Sequence, residues 1–170
     1  MESITEKAIV MDDIIVVDDV CKGANKNDTG TDKGISDGEL RKALELSVQR
    51  RRKSIRHPEK VLLIPPDFTR MHSGAGRITA IYYEMLKDSC HVDIMPALGT
   101  HEPMTPTEID EFFGNGIPRE AFIVHNWRKD VVKIGQVPAD YVKQVSEGLV
   151  SDPVDVEVNR RIVDGTYDLI

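Results

Sequence analysis

A chain of 170 residues can bury a real core within one domain, and its 40% hydrophobic content is a little lean for a globular one. A net charge of -7 and a pI near 5.2 argue against a nucleic-acid binder, whose phosphate contacts need a basic surface. No apolar run approaches membrane-spanning length, and the start Met1–Glu6 lacks the apolar core of a signal peptide. Cys21 and Cys90 stand in no metal or redox spacing, so a cytoplasmic, reducing setting is the simple reading.

Residues 1–35 read as a peripheral segment. Ile14–Val17 is a candidate strand between pairs of aspartates, and Lys22–Gly34 is polar and rich in Gly and Asn, which predicts a mobile loop. From residue 36 the pattern becomes that of an α/β domain. Ser36-Asp37-Gly38-Glu39 is a capping box opening a helix whose apolar face is Leu40, Ala43, Leu44 and Val48. The helix closes on Arg50–Lys53, where cations suit the carboxyl end of the helix dipole.

An alternation follows. Strand Val61–Ile64 leads through Ser73-Gly74-Ala75-Gly76 into a helix with Ile78, Ile81, Tyr82, Met85 and Leu86 on one face. His91–Leu98 is a second strand. Thr105-Pro106-Thr107-Glu108 then starts a helix with a Thr cap, Pro at its first position and Glu at its third, and Gly114 stops it. Its apolar face is Ile109, Phe112 and Phe113. Ala121–His125 and Val131–Val137 read as further strands, Ser151–Ile162 fits strand or helix, and Thr166–Ile170 reads as the opening of another strand. Such alternation predicts a mostly parallel sheet with flanking helices, Rossmann-like, and a strand opening so late predicts the front part of a longer protein; the other reading of it is an edge strand that completes this sheet.

Two strand ends carry the chemistry. Val61–Pro65 runs into Pro66-Asp67-Phe68-Thr69-Arg70, and Val92–Thr100 runs into His101. If these strands are parallel neighbours, Asp67, Thr69, Arg70 and His101 converge where open α/β sheets bind ligands. A carboxylate, a hydroxyl, a guanidinium and an imidazole together can orient an anion and move a proton. Each has a plainer reading as well: His101 as a loop histidine satisfying backbone groups, Asp67 and Arg70 as a turn or ion pair. The Ser73–Gly76 turn could cradle a phosphate with backbone N–H groups or simply link strand to helix, since it has neither a Walker A lysine nor a third glycine. Arg50–Lys53 with Arg56 and Lys60 could grip phosphate or RNA, but the acidic balance favours a solvated helix end. His125-Asn126-Trp127 is either a supporting element of the pocket or a packed Trp beside a hydrogen-bonded His. No two histidines or cysteines share a metal-ligand spacing.

Asp67-Phe68-Thr69-Arg70, Ala97–Thr105 and Val156-Glu157-Val158-Asn159-Arg160 together resemble the amino-terminal domain of the lactate racemase family, over roughly Ser36 to Ile170. That resemblance implies racemisation of a 2-hydroxy acid with a nickel-pincer nucleotide as cofactor: a histidine removes the hydroxyl proton while hydride leaves the α-carbon. It implies His101 as one of two acid/base histidines, Arg70 as the carboxylate grip, Asp67 as the group that orients the pocket, and Thr69 with Ser73 and Gly74 as holders of the cofactor phosphate. Met71 stands where the family's motif usually has Pro, which implies a different substrate within the family. The second histidine, the anchoring lysine and the nickel-binding histidine would fall beyond Ile170, in the carboxyl-terminal remainder of the parent chain. The 170 residues alone are therefore expected to be inactive and to hold no nickel tightly. The rival expectation is a stand-alone binding module for a small phosphorylated or carboxylated ligand, using Arg70 and the Ser73–Gly76 turn. Neither nucleic acid nor membrane is expected as a partner, and the oligomeric state is left open by the sequence.

Overall fold

The computed structural model describes residues 35–54 and 58–170. The expected strand Ile14–Val17, the loop Lys22–Gly34, and Arg56 lie outside them. The chain divides into two units, Met1–Arg51 and Arg52–Ile170. Helix α1 spans Asp37–Ser54, starting in the first unit and ending just past its last residue. Ser36 closes the expected capping box: its backbone N–H donates to the Glu39 carboxylate at 2.9 Å, and its hydroxyl accepts from the Glu39 N–H at 3.4 Å. Leu40, Ala43, Leu44 and Val48 form the half-buried side of the helix, with Ser47 buried among them in sequence.

In the second unit, β1 (Lys60–Leu63) and β2 (His91–Ile94) pair in parallel, with Val61 opposite Val92 and Leu63 opposite Ile94. Parallel bridges extend the pair on both sides, Leu169 beside Val61 and Phe122 beside Ile94. Val61, Leu62 and Ile94 are almost wholly buried, as expected of a parallel sheet covered on both faces. Leu62, Met95 and Tyr167 form a core cluster on which Ile123 packs. The expected third strand is shorter than predicted: Arg119–Ala121 is a 3₁₀ turn, and of Ala121–His125 only Phe122 makes a bridge.

Helix α2 (Ala75–Leu86) turns a different face inward from the one its apolar pattern predicts. Gly76, Thr79, Tyr83 and Leu86 are buried, while Ile78, Ile81, Tyr82 and Met85 flank them half-exposed. The cause is close approach to helix α3 (Pro106–Phe113): a Cβ on Gly76 would lie 1.9 Å from the Phe112 carbonyl oxygen. The start of α3 is as expected, with reciprocal bonds between Thr105 and Glu108, and it ends at Gly114 with φ +78°.

The remaining strands correct the single mostly parallel sheet. β3 (Val131–Val137) pairs antiparallel with β4 (Val154–Asn159), and a bulge lies between Lys133 and Gly135. A short helix, α4 (Ala139–Val145), which the sequence pattern did not reveal, lies in the connection. The ambiguous segment Ser151–Ile162 is thus strand over Val154–Asn159, closed by a 3₁₀ turn over Arg160–Ile162. The whole is a mixed α/β arrangement with one small parallel and one small antiparallel sheet. Among the described residues no helix is long and apolar enough to cross a membrane.

Candidate active site

The carboxyl ends of β1 and β2 run on side by side. Met95 N–H donates to the Leu63 carbonyl at 2.9 Å and Ala97 N–H to the Pro65 carbonyl at 2.8 Å, with Pro66 bridging Ala97. Pro65, Pro66 and Pro96 lack the N–H that a continuing ladder would need, so regular pairing ends at this edge. The chain then turns at Gly99, φ +58°, a conformation that glycine adopts at no steric cost, and His101 N–H closes the turn onto the Leu98 carbonyl at 2.9 Å.

This geometry brings Asp67 and His101 together, with the carboxylate 2.6 Å from His101 Nδ1. The other carboxylate oxygen accepts the Thr69 hydroxyl and, at 3.1 Å, the Thr69 backbone N–H. Asp67 is only 6% exposed, whereas the His101 side chain is 54% exposed. Burial is the largest influence on the Asp67 carboxyl and works against its charge. The bonds from the Thr69 hydroxyl, His101 and the Thr69 N–H outweigh it and hold the carboxyl below its ordinary range. An ionised carboxylate can only accept, so His101 donates Nδ1–H, and in the neutral ring Nε2 then carries the lone pair. A buried carboxylate on Nδ1 and an accessible Nε2 are the arrangement of a general base.

Arg70 is exposed and lies beside this pair, one guanidinium nitrogen donating to the Thr69 hydroxyl oxygen at 3.2 Å. Thr69 is therefore a link between Asp67 and Arg70. Ser73 turns its hydroxyl back to accept the Ala75 N–H at 3.2 Å, and Gly74, φ +70°, starts α2 with open space where a side chain would stand. Gly76 packs against α3, so its small size serves helix contact. Among the described residues no group of three His, Cys, Asp or Glu side chains could hold a metal ion. One pairing was not foreseen from the residues: Asn159, 4% exposed, has its amide nitrogen 2.9 Å from Nδ1 of His125. Only its place in the Val156–Arg160 motif pointed to it.

Fold and edge define an α/β domain with a hydrogen-bonded Asp–His pair at the carboxyl end of a parallel strand pair. The comparisons give the family: the model of the lactate racemase N-terminal domain matches residues 16–167, and the chain belongs to that family. The match begins ahead of Ser36 and takes in residues 16–35, more than half of the amino-terminal segment. A crystal structure of a Thermotoga maritima protein is similar at 20% identity with a TM-score of 0.61, over 79% of this chain and 33% of that one. This chain thus spans about a third of that relative's length. A search of curated proteins gives no match.

Proposed function

We propose that the chain is the amino-terminal catalytic portion of a racemase or epimerase acting on lactate or a related 2-hydroxy acid. The observation that carries this reading is the buried Asp67 carboxylate on Nδ1 of a half-exposed His101, in a chain of the lactate racemase N-terminal family. His101 Nε2 takes the proton of the substrate's 2-hydroxyl, and Asp67 offsets the positive charge that forms on the ring. Thr69 keeps Asp67 ionised and aligned through two bonds to one oxygen. The planar fork of Arg70 grips the substrate carboxylate.

The family resemblance adds a nickel-pincer nucleotide. Gly74 leaves open space at the turn before α2 for the phosphate end of such a group, with the Thr69 and Ser73 hydroxyls as its polar partners, since the Gly74 and Ala75 N–H groups already bond within the turn. When bound, the nucleotide supplies a hydride acceptor for the α-carbon. The described residues offer no donor set for the metal itself. What this chain's own side chains supply is the proton transfer and the carboxylate grip.

The test is polarimetry on enantiopure lactate and other 2-hydroxy acids, with the protein at its full native length. Loss of optical rotation, with Arg70→Ala raising KM at least tenfold, is the expected result. Saturable binding with optical purity retained for every acid tried would instead favour a binding module.

A further inference from the structure

A second histidine belongs to the same sheet edge. Phe122 bridges Ile94 in parallel, and Ile123 N–H donates to the Ile94 carbonyl at 2.8 Å. Three residues on from Ile94 is Ala97, which bridges Pro66, and three on from Phe122 is His125. His125 therefore follows the third parallel segment on the carboxyl-end side of the sheet, the side on which Asp67 and His101 follow the first two.

The backbone just after His125 and the ring of His125 are held. The next residue, Asn126, closes a tight turn: its side-chain oxygen accepts from Arg128 N–H at 3.1 Å, and its carbonyl accepts from Asp130 N–H at 2.8 Å. The ring is held by Asn159. Its side-chain oxygen accepts the Arg161 N–H at 3.0 Å, which leaves its NH₂ end to donate to His125 Nδ1 at 2.9 Å. A neutral imidazole that accepts at Nδ1 carries its proton on Nε2. His101 has the opposite arrangement: it gives Nδ1–H to Asp67, and its neutral ring carries the lone pair on Nε2.

We propose that Asn159 is a positioning residue that fixes His125 as an Nε2–H donor, and that this donor recognises an anionic oxygen of the ligand at the same edge where His101 presents an acceptor. The anionic oxygen is a substrate carboxylate or a phosphate. The inference rests on the proposed ligand edge, but it adds a binding group that neither the family match nor the sequence pattern assigns.

The test is a long-range ¹H–¹⁵N spectrum of the imidazoles in the full-length protein, titrated separately with L-lactate and with inorganic phosphate. The expected result is His125 in the Nε2–H form and His101 in the Nδ1–H form, with a saturable shift of His125 Nε2. A response to lactate alone assigns the carboxylate, and a response to phosphate alone assigns the phosphate. Asn159→Asp keeps the shape and the bond to Arg161 but presents an acceptor to Nδ1, so it should reverse the His125 tautomer and weaken the response about tenfold. His125 unmoved while His101 responds would overturn this inference and leave the proposed function standing. Both rings silent to both ligands would overturn the two together. Full affinity in Asn159→Asp with the tautomer reversed would also refute it.

Discussion

Two aspartates, one at the parallel-sheet edge and one on the β3–β4 hairpin, both have lowered carboxyl pKa values for different reasons. On the hairpin, Asp155 is held down by bonds from Lys133 and Gln136, each 2.6 Å away, in open solvent. At the sheet edge, Asp67 is buried, burial acts against its charge, and three hydrogen bonds overcome that. A lowered carboxylate in water is an ordinary surface pair. A carboxylate kept charged inside the protein must be compensated by its neighbours, and at Asp67 the compensation also orients a histidine. The direction of a shift therefore says little about function until burial and partners are set beside it.

The comparison is most easily broken by removing the two charges. Asp67→Asn should lower kcat of the full-length protein by about 10²–10⁴-fold, because the amide no longer selects the His101 tautomer. Asp155→Asn should leave kcat within about twofold. Equal losses in steady-state kinetics would refute the distinction.

Packing under the edge sharpens it. Gly76→Ala places a methyl against the Phe112 carbonyl, so it should cost about 2 kcal/mol or more and lower the thermal midpoint by several degrees. A midpoint unchanged in calorimetry would mean that α2 and α3 are not in close contact.

A third prediction uses alkali. Tyr167 donates its hydroxyl to Asp93 at 2.7 Å, and burial, then that bond and the Asp93 charge, push the phenol up to about 12 from 10.0. The folded pKa lies above the unfolded one, so the contribution is full below about pH 10 and is lost as pH rises toward 12. Alkaline unfolding of the wild type should show a loss on the order of 2 kcal/mol across that window, absent in Tyr167→Phe. Asp67 has the opposite sign: its folded pKa lies below the unfolded 3.8, so its contribution is full above about pH 4 and disappears as pH falls through the folded value. Acid unfolding of Asp67→Asn should therefore be flatter than that of the wild type. The smallest effect is on the hairpin, where Lys133→Ala should move the midpoint by no more than about 2 °C.

The parts legible in sequence were those fixed by local chemistry. The caps at Ser36 and Thr105 declared two helix starts, and the apolar runs Val61–Pro65 and Val92–Thr100 led into Asp67 and His101, which is why these two could be placed together, although the second strand stops at Ile94 and not at Leu98. Pairing direction is not local, so nothing in Val131–Val137 said that it would lie antiparallel against Val154–Asn159. The inward face of α2 was misplaced because apolar periodicity counts side chains, and the closest contact is made by a residue with none, Gly76. The Asn159–His125 pair is 34 residues apart, as Asp67–His101 is, but Asn159 ends a strand of the antiparallel pair, whose partner the sequence did not declare.

The central claim is that proton transfer at this edge runs through His101. The direct test is His101→Gln in the full-length protein, with turnover followed by polarimetry and substrate affinity by calorimetry. The account predicts that racemisation falls by about 10³-fold or more while affinity stays within a few-fold. Turnover within tenfold of the wild type would contradict it.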